Sequence, residues 1–346
     1  MKTALIGLGM VARTHVRAIA ATKGKITLQG VCSRDAGRAA AFAKDISSEL
    51  GIVPKAYATP REIAEDPEID FVIVATPPNA RAEIVQILAN SGKHILLEKP
   101  IERSSVAATE IVTSCEAAGV KLGIVFQHRM RASAIKLKAL LSNGALGELA
   151  VAEILVPWWR EQSYYDEPGR GTYARDGGGV LISQAIHTLD LALTFTGPVR
   201  KVQAFARTSA LHKMESEDFV SAGLEFGNGA AGSLVASTAS YPGRAESIAL
   251  HFTKASVKLE SGKLDVDWHD GQQESFGEET ATGGGADPMA FTHEWHQKII
   301  ERFAQAVAED SQPVASGRET LAVHRLIDAL LESSREERAV TLPAAE

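Results

Sequence analysis

Three short stretches of this sequence carry side chains fit for chemistry. One is Gly7-Leu8-Gly9-Met10-Val11-Ala12, a G-x-G-x-x-A run. Another is Glu98-Lys99-Pro100, which closes an apolar run and offers an ammonium donor. The third is Gly177-Gly178-Gly179, followed by Ser183, Gln184, His187 and Asp190. On an α-helix Ser183, His187 and Asp190 share one stripe, with Gln184 three residues before His187, so a hydroxyl, an imidazole and a carboxylate converge there. A histidine with its ordinary pKa of about 6.5 can move a hydroxyl proton close to neutral pH. A lysine ammonium in a closed site stabilises a developing alkoxide. Taken singly, His187 is better explained as a core histidine and Lys99 as a solvated loop charge. Two such residues in two motifs favour chemistry.

These residues need elements to hold them. Over the first 130 residues, apolar strand-like runs alternate with Ala-rich helical stretches. The strands are Thr3–Gly7, Thr27–Ser33, Lys55–Ala58, Phe71–Thr76, His94–Glu98 and Leu122–Gln127; the helices are Val11–Ala21, Ala36–Leu50, Asn79–Ser91 and Val106–Ala118. Unbroken apolar strands between helices mean a parallel sheet covered on both faces. The glycine motif then lies where the first strand turns into the first helix. Gly7 permits the tight turn, Gly9 lets a pyrophosphate approach the backbone, and Ala12 allows close helix–sheet packing. The helix N-terminus, with Met10 and Val11, turns N–H groups and a dipole toward the anion. Thr76, Pro77 and Asn79 follow the fourth strand and Lys99 the fifth, at the edge where open α/β sheets bind ligands.

The second strand ends in Val31-Cys32-Ser33-Arg34-Asp35. Ser33 can donate to a 2′-phosphate, Arg34 can pair with it, and Arg38 lies one turn on. This favours NADP as cofactor; Asp35 keeps NAD open if the strand runs a residue or two longer.

After Gln127 the pattern changes. A helix over 134–141 and a long strand, Glu148–Trp158, lead into Arg160–Asp176, a loop rich in Gly, Tyr and Arg. Val180–Phe195 reads as a helix. Strands follow at Val202–Arg207, Phe219–Phe226, Ala231–Ser237, Ser247–Phe252, Val257–Glu260 and Leu264–Trp268, then helices at Thr292–Ala308 and Arg318–Arg335. Strands without helices between them mean a mostly antiparallel sheet. The 346 residues therefore divide into an α/β Rossmann domain over 1–123 and an α+β domain over 124–346 with a large, mostly antiparallel open sheet. Gly283-Gly284-Gly285 is expected to be a mobile loop. Strands such as Ser221–Phe226 carry apolar residues on both faces, so one face needs a second copy, and a homodimer or homotetramer is expected.

Composition narrows the partners. With 45% hydrophobic and 23% charged residues the chain is not disordered. A net charge of −7 argues against nucleic acid and against a polybasic membrane surface. No apolar run approaches about 18 residues, and the N-terminal one is too short for a secretory signal. Two cysteines, Cys32 and Cys115, build no disulfide framework and read as small buried hydrophobes in a reducing cytoplasm. His293-Glu294-Trp295-His296 lacks the spacing of a helical zinc pair, so no metal is expected, and His15 reads as a packing residue.

With Thr76-Pro77-Pro78-Asn79, Glu98-Lys99-Pro100 and Gly177-Gly178-Gly179…His187…Asp190 after the glycine loop, the chain resembles the glucose–fructose oxidoreductase / inositol dehydrogenase family (Gfo/Idh/MocA) over nearly its whole length. The resemblance implies an NAD(P)-dependent oxidoreductase. Hydride would pass between the nicotinamide and a hydroxyl-bearing carbon of a sugar, sugar derivative or polyol. It places Lys99 at the nicotinamide and on the substrate hydroxyl, and makes His187 the general acid/base. Thr76, Pro77, Asn79 and the Glu98 backbone line the cofactor cleft. Arg160 with Tyr164-Tyr165, then Arg170-Gly171-Thr172, resembles a segment of many sugar-active members; the substrate-binding candidates are Arg160, Tyr164, Tyr165, Ser183 and Asp190. Three positions depart from the family pattern: Ser183 stands for an Asp, Ala185 for a Gly, and Arg81 for a His. The alternative is a non-catalytic dinucleotide-binding sensor or partner-binding protein on the same fold. Such a protein would be free to lose Lys99 or His187, and this chain has both.

Overall fold

The computed structural model describes residues 1–279 and 291–343; Gly283-Gly284-Gly285 lies outside the described residues. The chain begins with β1 (Lys2–Ile6), α1 (Ala12–Ala21), β2 (Thr27–Cys32), α2 (Ala36–Leu50), β3 (Lys55–Tyr57) and α3 (Pro60–Glu65). It continues through β4 (Phe71–Val74), α4 (Arg81–Asn90), β5 (His94–Leu97), α5 (Ser105–Ala117), β6 (Leu122–Ile124), α6 (Ala132–Ser142), β7 (Leu149–Pro157), α7 (Gln162–Tyr165) and α8 (Ile186–Thr196). Then come β8 (Val199–Arg207), β9 (Phe219–Phe226), β10 (Ala231–Ser237), β11 (Ser247–Phe252), β12 (Ala255–Glu260), β13 (Lys263–Trp268) and β14 (Gln273–Phe276). Helices α9 (Glu294–Ala308) and α10 (Gly317–Glu336) and the short β15 (Val340–Thr341) end it. The short elements α3, α7, β14 and β15 are the ones the hydrophobic pattern does not announce.

One compact unit holds Met1–Gln127 together with His293–Leu321; the other holds His128–Thr292 and the chain from Ala322 onward. In the first, six parallel strands run in the order β3-β2-β1-β4-β5-β6. They are apolar on both faces, with Ala4, Leu5, Phe71, Ile73, Ile95 and Leu97 all fully buried, as a doubly covered sheet requires. Strand order reverses between β1 and β4, which opens the crevice where such sheets bind ligands. Gly7 sits there with φ +97°, and a Cβ on it would lie 2.6 Å from the Ala75 carbonyl carbon and 2.7 Å from Thr76 N. Only glycine lets the chain leave β1 past the end of β4.

The boundary at residue 123 needs correction, because His293–Leu321 returns to the first unit. Helix α9 buries Trp295, His296, Ile299, Ile300 and Phe303 along one stripe and packs on α1 and β5. Phe303 meets Phe71 edge-on, ring centroids 5.4 Å apart. The period of an amphipathic helix shows that it covers a core, not which core.

The second unit is built on a nine-stranded sheet, order β14-β13-β12-β11-β7-β10-β9-β8-β15. Among the described residues β7 and β10 are its one parallel pair, and every other neighbour is antiparallel. Along β7, Ala152, Ile154 and Val156 are buried while Val151, Glu153 and Leu155 are exposed. Helix α8 packs on β7 and β11, and α6 packs on β13 and β14. Helix α8 is buried on all sides through most of its length, which explains why it is apolar all round. Val151, Leu155 and Phe205 lie exposed on the sheet. Among the described residues no helix is long and apolar enough to cross a membrane.

Candidate active site

In the first unit the glycine loop links β1 to α1. Around Gly9 nothing lies within 4 Å of where a Cβ would stand, and among the described residues no backbone bond takes the N–H of Gly9, Met10 or Val11. Three N–H groups at a helix N-terminus beside an open glycine form an anion cradle. Thr76 Oγ1 is buried there with no protein partner. A dinucleotide pyrophosphate fits this donor set. Beside it, Asp35 Oδ1 accepts from the Arg38 N–H at 3.1 Å and caps α2. Arg38 turns its guanidinium to the Leu8 carbonyl, 2.6 Å away, so it braces the loop. Ser33 follows directly on β2, and Arg34 is exposed.

Lys99 stands just beyond β5 on a segment held from below by Arg81. Arg81, nearly fully buried, donates from Nε and Nη2 to the Thr76 carbonyl at 2.9 and 2.7 Å. Its Nη1 donates to the Glu98 carbonyl, and Nη2 lies 3.5 Å from the Lys99 carbonyl. One guanidinium fork thus ties the ends of β4 and β5 together. Burial lowers the Arg81 pKa to about 10 against the pull of Glu98 and Glu102, so it stays charged. In sequence Arg81 reads only as a departure from the family's histidine.

Glu98 is also buried. Its Oε1 lies 2.8 Å from His15 Nε2, and its Oε2 accepts from the Lys99 N–H at 3.2 Å. Burial raises its pKa, but the His15 hydrogen bond and the positive groups around it win and hold it near 2. His296 stands edge-on to His15, ring centroids 5.2 Å apart. Desolvation and His15 push the His296 pKa down to about 3, with Glu98 opposing. The ligand atoms of His15, Glu98 and His296 all lie within 4.8 Å of one another. His15 is therefore more than packing, and His296 belongs to this cluster rather than to a helical pair. The three are far apart in sequence, and no local signal joins them.

In the second unit the glycine triplet leads into His187. A Cβ on Gly179 would fall 1.8 Å from the Glu217 carbonyl oxygen, so the chain passes only without a side chain. The Glu217 carboxylate accepts from the N–H groups of Gly179 at 3.2 Å and Leu181 at 3.1 Å, and its carbonyl accepts from Val180 at 2.8 Å. Burial raises the Glu217 pKa to about 6 although these N–H donors lower it. Leu181–Ala185 then forms a π turn before α8. An i→i+5 turn takes up an extra residue; Ser183, half-buried, lies within it, four residues before His187 on α8.

His187 and Asp190 both lie on α8 and are buried. Both Asp190 oxygens accept from Arg129, Oδ2 from Nε at 2.8 Å and Oδ1 from Nη2 at 2.7 Å. The carboxylate read as a substrate contact is thus half of a buried ion pair. Gln184 Nε2 donates to the Tyr164 hydroxyl at 3.3 Å. The Tyr164 ring faces the guanidinium groups of Arg170, at 4.7 Å, and Arg160, at 5.8 Å. Tyr165 is buried, its hydroxyl 2.6 Å from Thr238 Oγ1; burial pushes its pKa well up. The structure brings Tyr164, Arg160, Arg170 and Gln184 together and turns Tyr165 inward.

Two family models match this chain. The first, an oxidoreductase family with an NAD-binding Rossmann fold, covers residues 1–126. The second, the GFO/IDH/MocA C-terminal domain, covers residues 134–258. The chain is 26% identical to D-apiose dehydrogenase of Rhizobium rhizogenes over 99% of its own length and 98% of that protein. It is 25% identical to inositol 2-dehydrogenase of Rhizobium meliloti over 98% of each chain. Its fold matches the WlbA dehydrogenase of Bordetella pertussis, solved with NADH and UDP-GlcNAcA, at TM-score 0.81, with 26% identity and 99% of each chain covered.

Proposed function

Since the chain belongs to the Gfo/Idh/MocA oxidoreductases, a family with an NAD-binding Rossmann fold, we propose that it moves a hydride between a nicotinamide cofactor and a hydroxyl-bearing carbon of a sugar, sugar derivative or polyol. The observation that carries this reading is the pairing, in one unit, of an open anion cradle at Gly9–Val11 with Lys99 on a braced segment after β5. The dehydrogenase names of the relatives support the same class. They count against a non-catalytic sensor, as does the presence of both Lys99 and His187. When bound, the nicotinamide supplies the redox chemistry. The protein's share is placement and proton handling. Lys99 donates to the reacting oxygen and steadies its charge, and His187 takes or returns the hydroxyl proton. Arg160, Tyr164 and Ser183 present donors and an aromatic face to the sugar. The test is turnover of a panel of aldoses, sugar acids and polyols with NAD and NADP. Tight NADPH or NADH binding without turnover of any of them would return the sensor reading.

For the cofactor we propose NADP over NAD. The WlbA dehydrogenase complex holds NADH, and the finer choice rests on this chain's own residues. Strand β2 ends at Cys32, and Asp35, the acid three residues further on, is taken up as the cap of α2. That leaves Ser33 and exposed Arg34 to meet a 2′-phosphate. A hydrogen bond to a charged group contributes about 1.5–3 kcal/mol, so Arg34→Ala should lose roughly 10–100-fold in NADP affinity and little in NAD affinity. Fluorescence titration of both cofactors reads this directly. A wild-type preference for NAD, or an unchanged preference in the variant, removes Arg34 as the selector.

The exposed Val151, Leu155 and Phe205 of the nine-stranded sheet support self-association as a dimer or tetramer. Light scattering should give a multiple of 36.9 kDa; a monomer mass at every concentration would reject it. The buried free thiols Cys32 and Cys115 support a reducing, cytoplasmic setting.

A further inference from the structure

Within the second unit a line of buried side chains runs from β11 to His187. Glu246 stands just ahead of β11, and its Oε1 accepts from Arg131 Nη1 at 2.7 Å. Its Oε2 accepts from Trp158 Nε1 at 3.3 Å. Arg131, at the N-terminal end of α6, places Nη2 2.8 Å from His128 Nε2. The His128 ring lies on the His187 ring, centroids 4.8 Å apart and planes 27° from parallel. All four groups are buried: Glu246 is 3% exposed, Arg131 4%, His128 3% and His187 8%.

The chemistry of this line fixes a proton. A guanidinium has N–H donors and no acceptor. At 2.8 Å, His128 Nε2 must therefore present its lone pair to Arg131, and the ring proton sits on Nδ1. A second proton on His128 would set N–H against N–H and cation against cation, out of water. The carboxylate that could compensate, Glu246, already accepts from Arg131 and Trp158. Of the other charged groups nearby, Arg129 and Asp190 are paired with each other, and Glu260, which lines the same cavity as His128 and Arg131, is paired with Lys258. His128 is thus neutral, and its flat face meets the ring of His187. A neutral aromatic face accommodates a neighbouring ring whether that ring is neutral or cationic, and it attracts the cation.

We propose that His128, locked as the neutral Nδ1–H imidazole by the Arg131–Glu246 pair, is the positioning residue that fixes the ring plane of His187 in both of its protonation states. The proposal rests on the reading of His187 as the acid/base. Sequence alone shows Gln127-His128-Arg129-Met130-Arg131 only as the run after a strand, because its partners Glu246 and His187 are remote in the chain.

Two measurements on the full chain test it. In ¹⁵N-histidine-labelled protein, long-range ¹H–¹⁵N correlation should show one histidine held as the neutral Nδ1–H tautomer from pH 5 to 8. Its signals should be absent in His128→Phe, and the same ring should titrate in Arg131→Met. An Nε2–H tautomer, or protonation of His128 within that range in the wild type, overturns the proposal without any variant having to fold. In kinetics, misplacement of an acid/base costs up to about 10²-fold, so His128→Ala should lose ~10–10²-fold in kcat with KM and cofactor affinity nearly unchanged. His128→Phe, which keeps the flat seat, should recover most of that loss. Wild-type kcat in His128→Ala, beside a slow His187→Ala, overturns this proposal and leaves the acid/base reading standing. Wild-type kcat in His187→Ala overturns both.

Discussion

Lys99→Ala is expected to lower kcat by about 10²–10⁴-fold, the range for removing a positioned proton-handling group, while cofactor affinity stays close to wild type. The size of the loss follows from where the lysine stands. Its own backbone N–H is fixed by Glu98 Oε2 and its carbonyl lies within reach of Arg81. An ammonium on so constrained a segment contributes most where charge develops on oxygen, since its dipole partners need no rearrangement during the reaction. The cofactor cradle is made by other residues, Gly9 to Val11 and Thr76, so binding and turnover should separate. Steady-state kinetics beside NADPH fluorescence titration would show the split. A Lys99→Ala enzyme of near wild-type kcat would mean that the family's roles do not transfer to this chain.

His187→Ala should lose kcat by a similar factor, about 10²–10⁴, and with it the limb of the pH–rate profile that reports the acid/base. Cofactor affinity should again hold. The environment explains why the effect is large: His187 is buried on α8 against His128, and the turn leading to it is held by Glu217 through Gly179 and Leu181. Ser183→Ala should be mild, because Ser183 brings only a half-buried hydroxyl where the family pattern has a carboxylate. Unchanged kcat in His187→Ala would leave Lys99 or Tyr164 to handle the proton; the Tyr165 hydroxyl, buried on Thr238, is poorly placed for it.

Much of the framework was legible because it is local. Helix α2 and strands β9, β10 and β11 coincide with the runs read from hydrophobic period, and the glycine loop and Lys99 fall at strand ends where the pattern puts them. What sequence could not show is held together by contacts across long separations. Arg81 shows in sequence only as a departure from the family's histidine, yet it ties Thr76 to Glu98. Asp190 looks like a ligand three residues past a histidine, yet Arg129 takes both its oxygens. His15, Glu98 and His296 meet only in three dimensions. The π turn escapes for another reason: hydrophobic spacing over five residues does not distinguish an i→i+5 turn from an α turn.

The return of α9 to the first unit sets an order of events for a chain made from its N-terminus on a ribosome. When residue 127 emerges, all six parallel strands exist, but the helix that covers Phe71 with Phe303, reaches Ala21 through Gln297 and closes over His15 with His296 does not. Domains tend to fold as they appear during synthesis. Here the nucleotide-binding half waits, with the part of its sheet around Phe71 and β5 uncovered, until everything from His128 to Thr292 has been translated. The wait costs little at equilibrium, because closing a long excursion grows only with the logarithm of its length. Its consequence is kinetic: the first unit is completed only after the second unit's sheet has been made, and a nascent chain stalled in between exposes part of the apolar floor of the cofactor domain to chaperones and neighbours.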